Sequence, residues 1–214
     1  ALKQIKHPSI KFVLLSFGKS RAVVVSRAIL LLILFFPGVS LAQAGGATLE
    51  KSALRDMNKH RWEKAEARLR KLLTREAVNP SARHALSVYY FHTDNPAYHL
   101  DSAYRYAVTA LEDYRGLADK ARGRLKRAAL DSAVIAALRV EIETAAFQEA
   151  RSQNSESAYL LFLSHFPSAT QHKRAEELRN EVAYQIALEE NTAEAFKRYV
   201  AKYPDSKRAG DAQL

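Results

Sequence analysis

The sequence predicts an all-α fold, a stack of about four helical hairpins, and three observations carry that expectation. From Thr48 onward the apolar residues recur three and four positions apart, with no alternating run bounded by hairpin turns. Short breaks rich in Pro, Gly, Asn and Ser cut this pattern into segments of about 10 to 20 residues, and such brief connections join antiparallel neighbours. Residues 145–169 then return 37 positions later as residues 182–206, and repetition at such a period belongs to stacked units that bury a shared core. With 48% hydrophobic and 26% charged residues among 214, the chain has ample material for that core.

Residues 1–44 read as an export signal with a long basic leading region. Lys3, Lys6, Lys11, Lys19, Arg21 and Arg27 meet no acidic residue there; an apolar run over residues 29–36 follows, and Pro37-Gly38 leads to the small-residue exit Ala42-Gln43-Ala44. Cleavage after Ala44 would leave Gly45 at the head of an exported protein, periplasmic or associated with the outer membrane. The apolar stretch over residues 28–41 is about fourteen residues against the ~20 of a spanning helix; an uncleaved membrane anchor is the alternative reading. Without this segment the formal charge of +10 falls to +4, from 27 cations and 23 acids. That is an ordinary surface balance, and no nucleic-acid partner is expected of an exported chain.

Residues 45–115 hold two degenerate hairpins, with breaks at 58–60, 78–80 and 93–96. Ala65, backed by Leu69 and Leu72, stands 38 residues before Ala103, which is followed by Tyr104 and Ala107. Asn79 is the expected N-cap, with Pro80 at the first helical position. From Ala103 to Ala158 the step is 55, one repeat and about 18 residues more, so residues 116–130 are read as an inserted basic helix opening after Arg115-Gly116. Residues 131–214 hold two repeats of period 37, with Asp131, Ser155 and Thr192 as caps and breaks at Gln153-Asn154, Phe166-Pro167-Ser168 and Glu190-Asn191. Tyr203-Pro204-Asp205-Ser206 is expected to open a further helix that residues 207–214 are too short to complete.

The two late copies agree at chemically meaningful places. Ala146, Gln148, Ala150, Asn154, Ala158 and Pro167 recur identically as Ala183, Gln185, Ala187, Asn191, Ala195 and Pro204. Aromatic falls on aromatic four times: Phe147 on Tyr184, Tyr159 on Phe196, Phe162 on Tyr199 and Phe166 on Tyr203. Small alanines let helices approach and the rings fill the space between them, so Phe147, Phe162, Tyr184 and Tyr199 are expected in the core.

The run from Trp62-Glu63-Lys64-Ala65 to Leu69, and the two copies of Asn-Ser/Thr-x-x-Ala-aromatic-x-x-aromatic-x-x-x-aromatic-Pro, resemble tetratricopeptide repeats. They are similar to those of exported bacterial envelope proteins such as the Tol-Pal coordinator and the Bam-complex assembly lipoprotein, and His84 to Tyr104 looks like repeat proteins of Bacteroidota envelopes. Ala53 and Asp56 stand where such repeats usually carry Gly and Tyr. The resemblance spans about residues 48–210 and implies an α-solenoid of helical hairpins that binds a protein or peptide partner. It further implies that the first helix of each hairpin lines a concave groove, which places Glu50, Met57, Arg83, Tyr90, Glu143 and Arg151 nearest the partner. Tyr90 has two readings, an amphipathic anchor for a partner or a ring packed inside its hairpin beside Tyr89 and Phe91.

Signals for chemistry are few. Without cysteine, thiolate metal sites, cysteine nucleophiles and a lipidated cysteine are excluded. The seven histidines have no metal-ligand spacing, no phosphate loop or G-x-S-x-G elbow occurs, and neither metal nor cofactor is expected. Glu141/Glu143, Glu176/Glu177 and Glu189/Glu190 are one or two residues apart and point in different directions on a helix. The densest charge is Lys120, Arg122, Arg124, Lys126 and Arg127 beside Arg115, readable as a solvated face or as a patch for an acidic partner or an anionic membrane surface. Two functions remain open: a non-catalytic exported scaffold for protein-protein interaction in the envelope, or the amino-terminal adaptor of a larger envelope protein whose catalytic or anchoring domain lies beyond residue 214.

Overall fold

Five helices start on a side chain that accepts from an amide of the first turn. In the computed structural model, which describes residues 46–213, the Asn79 side chain accepts from the Ala82 amide at 2.9 Å with Pro80 following. Asp131 accepts from Ala133 and Val134, Ser155 from Ala158 and Thr192 from Ala195. His99 also caps, its Nδ1 accepting from Ser102 at 3.1 Å, although histidine is not a favoured capping residue. Asn79→Ala is expected to lower stability by about 1 kcal/mol in urea unfolding; an unchanged midpoint would show that Pro80 alone starts the helix.

Among the described residues the chain forms nine α-helices and no strand. They are α1 (Gly46–Asn58), α2 (Trp62–Arg75), α3 (Pro80–Phe91), α4 (Leu100–Gly116), α5 (Asp119–Arg127), α6 (Ser132–Gln153), α7 (Glu156–His165), α8 (His172–Glu190) and α9 (Ala193–Lys202). After α9, turns over residues 204–210 lead into a short 3-10 helix, Asp211–Gln213. The expected export signal, residues 1–44, lies outside the described residues.

Helices consecutive in the chain pack on one another, α1 on α2, α2 on α3, α3 on α4, α6 on α7, α7 on α8 and α8 on α9, and α6 rests directly on α4 past the intervening α5. Helix α3 touches α1, α2, α4 and α6; ten of its twelve residues are therefore buried. One apolar cluster runs from Ala53 through Leu86, Tyr104 and Phe147 to Ala175. A second comprises Ala183, Tyr184, Ala187, Ala195, Tyr199 and Tyr203. A third gathers Ala110, Leu111, Tyr114, Leu130 and Ile135, with Leu125 of α5 packed on its edge.

The 37-residue period recurs in backbone geometry. Asn154 and Asn191 both close their helices in the left-handed region, with φ of 42° and 47°, which asparagine tolerates. Each amide bonds four residues back, to Ala150 and Ala187 at 3.0 Å. The turn Phe166–Ala169–His172 reappears as Tyr203–Ser206–Ala209 with the same two backbone bonds. Phe147 and Phe162 lie 5.5 Å apart, centroid to centroid, and their counterparts Tyr184 and Tyr199 lie 5.4 Å apart. All four rings are buried.

Candidate functional site

The six residues expected to line a groove lie on α1, α3 and α6, and five of them are engaged within the chain. Met57 is 1% exposed and packs with Ala53, Trp62 and Ala65. Ser81 of α3 donates to the Glu50 carboxylate of α1. Burial pushes that carboxyl above its ordinary range, with Ser81 pulling back and Glu76 adding to the rise. Arg83 donates through Nε to Asp113 at 2.6 Å and through Nη2 to the Ala77 carbonyl at 2.8 Å. Glu143 is fully buried; Arg139 Nη1 is 3.5 Å away, neither carboxylate oxygen has a hydrogen-bond partner, and burial raises its proton affinity. Arg151 alone is open, its guanidinium 5.9 Å above the Phe147 ring.

Tyr90 is packed inside, the second of its two readings. Its hydroxyl donates to Glu66 at 2.6 Å and accepts from Arg70 Nη2 at 2.8 Å, and its ring stacks on Tyr106 at 5.7 Å. Desolvation, reinforced by the Glu66 carboxylate, pushes the Tyr90 hydroxyl up to about 12. Desolvation also pushes Glu66 upward, yet the bonds from Tyr90 and Arg70 outweigh it and hold Glu66 below the usual carboxylate value. This arrangement clamps α2 to α3. Helix α3 touches four neighbouring helices, and only Ser81 and Arg83 of its twelve residues are not buried.

Exposed apolar side chains stand on α6 (Val134, Val140), on α8 (Ile186, Leu188) and, as an adjacent pair, on α7. Its outer row is Ser157, Leu160, Leu161 and Ser164, with Leu160 40% and Leu161 58% exposed. The period of 37 superposes these positions on Glu194, Lys197, Arg198 and Ala201 of α9. There Lys197 faces Glu194 and Arg198 pairs with Glu190. The same place in the same hairpin is thus charged and paired in one copy and apolar in the other. Isolated exposed leucines are common, but a charged sister position shows that packing does not require these two. The signal was present in the sequence, in the paired columns Leu160/Lys197 and Leu161/Arg198.

The basic residues sit together on α5, which has no buried side chain. Arg122 pairs with Asp119 and donates to the Arg115 carbonyl at 3.1 Å. No helix among the described residues is long and apolar enough to cross a membrane, and no trio of His, Asp or Glu among them could hold a metal ion. Compared with family models, curated proteins and solved structures, the chain matches none.

Proposed function

We propose that the chain is an exported, non-catalytic scaffold of the bacterial envelope, an α-solenoid of tetratricopeptide-like hairpins that holds a protein partner. The hairpin order and the 37-residue period in backbone and ring geometry support the repeat reading. The observation that carries the binding role is the apolar row on α7. A surface that breaks the repeat's own chemistry without serving its core is available for recognition, and a pair of adjacent exposed leucines suits an apolar segment of a partner, such as one face of an amphipathic helix.

The test copies the sister hairpin. The full chain carrying Leu160→Lys and Leu161→Arg should keep the helical circular-dichroism signal, since α9 folds with those residues, and should lose the envelope protein that the wild-type chain crosslinks. A loss of at least tenfold in captured protein is expected, because charged groups placed in an apolar contact are desolvated without partners. Undiminished crosslinking would move the binding surface away from α7, and a wild-type chain that crosslinks nothing in an envelope extract would remove the scaffold reading.

A further inference from the structure

The charge of the body is concentrated on one element. Residues 46–213 carry 27 Lys and Arg against 23 Asp and Glu, a net +4. The nine residues of α5 hold Lys120, Arg122, Arg124, Lys126 and Arg127 against Asp119, which is also +4. Every other described residue therefore sums to neutrality. No ion pair among the described residues engages Lys120, Arg124, Lys126, Arg127 or the adjacent Arg115, whereas the cations of the hairpins are repeatedly paired, as in Arg83 with Asp113 and Arg208 with Glu181.

Packing does not explain these residues. Helix α5 buries no side chain and touches the core only at the edge of one cluster, through Leu125, while α6 closes onto α4 without it. Its charge pattern also opposes its own folding. Lys120 and Arg124, and likewise Arg122 and Lys126, are like charges one turn apart, which weakens a helix, and Lys120 sits in the first turn, where the macrodipole repels a cation. Only the cations of the last turn are helped by the dipole.

Helical spacing sorts the cations into two groups. Lys120, Arg124 and Arg127 stand at i, i+4 and i+7, an outward row about 10 Å long. Arg122 and Lys126 lie on the other flank. With Arg115, Tyr114, Gly123 and Ser132 they line an open depression of about 470 Å³. The bond from Arg122 to the Arg115 carbonyl holds the end of α4 against α5, and both arginines line the depression.

We propose that α5 docks the protein on an anionic phospholipid surface: the outer row lies along the headgroups, and the depression, with three cations and the Ser132 hydroxyl, receives a headgroup phosphate. Charge complementarity selects this occupant. The unpaired cations spread along and around a protruding helix, as a plane of mobile anions requires, instead of converging on the fixed carboxylates of a folded partner. The helix carries no aromatic ring to stack a base and none to insert among acyl chains, so the contact is electrostatic. The inference does not rest on the partner-binding row of α7, which lies on a different helix.

The experiment is sedimentation of the full 214-residue chain with vesicles rich in phosphatidylglycerol or made of phosphatidylcholine alone. Two variants are compared with wild type: Lys120→Gln, Arg124→Gln and Arg127→Gln together, and Arg115→Gln with Lys126→Gln. None of the five side chains is buried, so folding should persist, and circular dichroism checks it. Each cation at an anionic surface contributes about fivefold to partitioning. The triple variant should therefore bind phosphatidylglycerol vesicles about 100-fold more weakly and the double variant about 20-fold. Binding to phosphatidylcholine, which reads any contribution of the apolar run at residues 29–36, should be the same for all three chains. About 1 M salt, where the Debye length falls to about 3 Å, should abolish the preference for phosphatidylglycerol. Variants that bind these vesicles as well as wild type, or a wild-type chain with no preference for them, would overturn the proposal. So would variants that lose binding to soluble polyglutamate while keeping the vesicles, because the occupant would then be an acidic polypeptide.

Discussion

Truncating Phe162 to alanine is expected to cost about 3 to 5 kcal/mol of folding free energy, the range for emptying a packed aromatic site. The ring is 3% exposed, lies 5.5 Å from Phe147 and 5.4 Å from Phe166, and Phe166 in turn rests 5.0 Å from Tyr104 of α4. Removing it opens a cavity where the third hairpin meets the second, and the helix backbones around it are too constrained to collapse fully. Tyr199→Ala should cost about as much, since it loses the contact with Tyr184 and also the hydroxyl bond to Ser206 at 2.7 Å. The two losses should differ in reach. Phe162 belongs to the cluster that runs from α1 to α8, whereas Tyr199 belongs to the separate cluster of the last hairpin. Hydrogen exchange should accordingly quicken throughout for Phe162→Ala and mainly in α8 and α9 for Tyr199→Ala. Urea unfolding is the first measurement, and a loss below about 1 kcal/mol for Phe162→Ala would remove that residue from the core.

What the sequence made legible here is local or periodic. Asn79, Asp131, Ser155 and Thr192 announce helix starts because a capping side chain reaches only two or three residues ahead. Phe147, Phe162, Tyr184 and Tyr199 announce burial because the 37-residue offset superposes ring on ring. The proposed groove was harder to read because it depends on which distant side chain answers each residue. Tyr90 is answered by Glu66 and Arg70, 24 and 20 positions earlier, and no periodicity encodes that triplet. Glu143 looks solvent-facing by composition, yet it is enclosed because α6 packs against both α3 and α4. The repeat also carried information in its mismatches. Where its two copies exchange apolar for charged residues, at Leu160/Lys197 and Leu161/Arg198 and in the reverse sense at Glu149/Ile186 and Arg151/Leu188, the side chains are exposed in both copies, core packing has nothing to say, and the difference marks the surface.

Mild acid is expected to destabilise the fold, and His84 is the main cause. Its side chain is buried on α3, its Nε2 has no hydrogen-bond partner, and burial lowers its pKa from the ordinary 6.5 to about 4. The folded state thus binds this proton more weakly than the unfolded state does. Stability is fully present above about pH 6.5, falls as the pH drops toward 4, and levels off below that value. At 1.36 kcal/mol per pKa unit the loss reaches about 2 kcal/mol at pH 5 and about 3 kcal/mol at pH 4. Burial lowers His92 as well, against the pull of Asp94, so it adds in the same direction. Glu66 and Glu156, whose carboxyls are held below their ordinary value of 4.5 despite desolvation, withdraw their stability only as the pH falls below that value. Glu50, Glu141 and Glu143, raised by burial, work in the opposite sense and gain stability as the pH falls, so the comparison of His84→Leu with wild type is what isolates the histidine. Leucine fills a similar volume and leaves no orphaned nitrogen, so the variant should match wild type at pH 7 to within about 1.5 kcal/mol and lose most of the slope above pH 5. If His84→Leu keeps the wild-type slope, His84 is not held neutral by burial and the acid sensitivity belongs to another group.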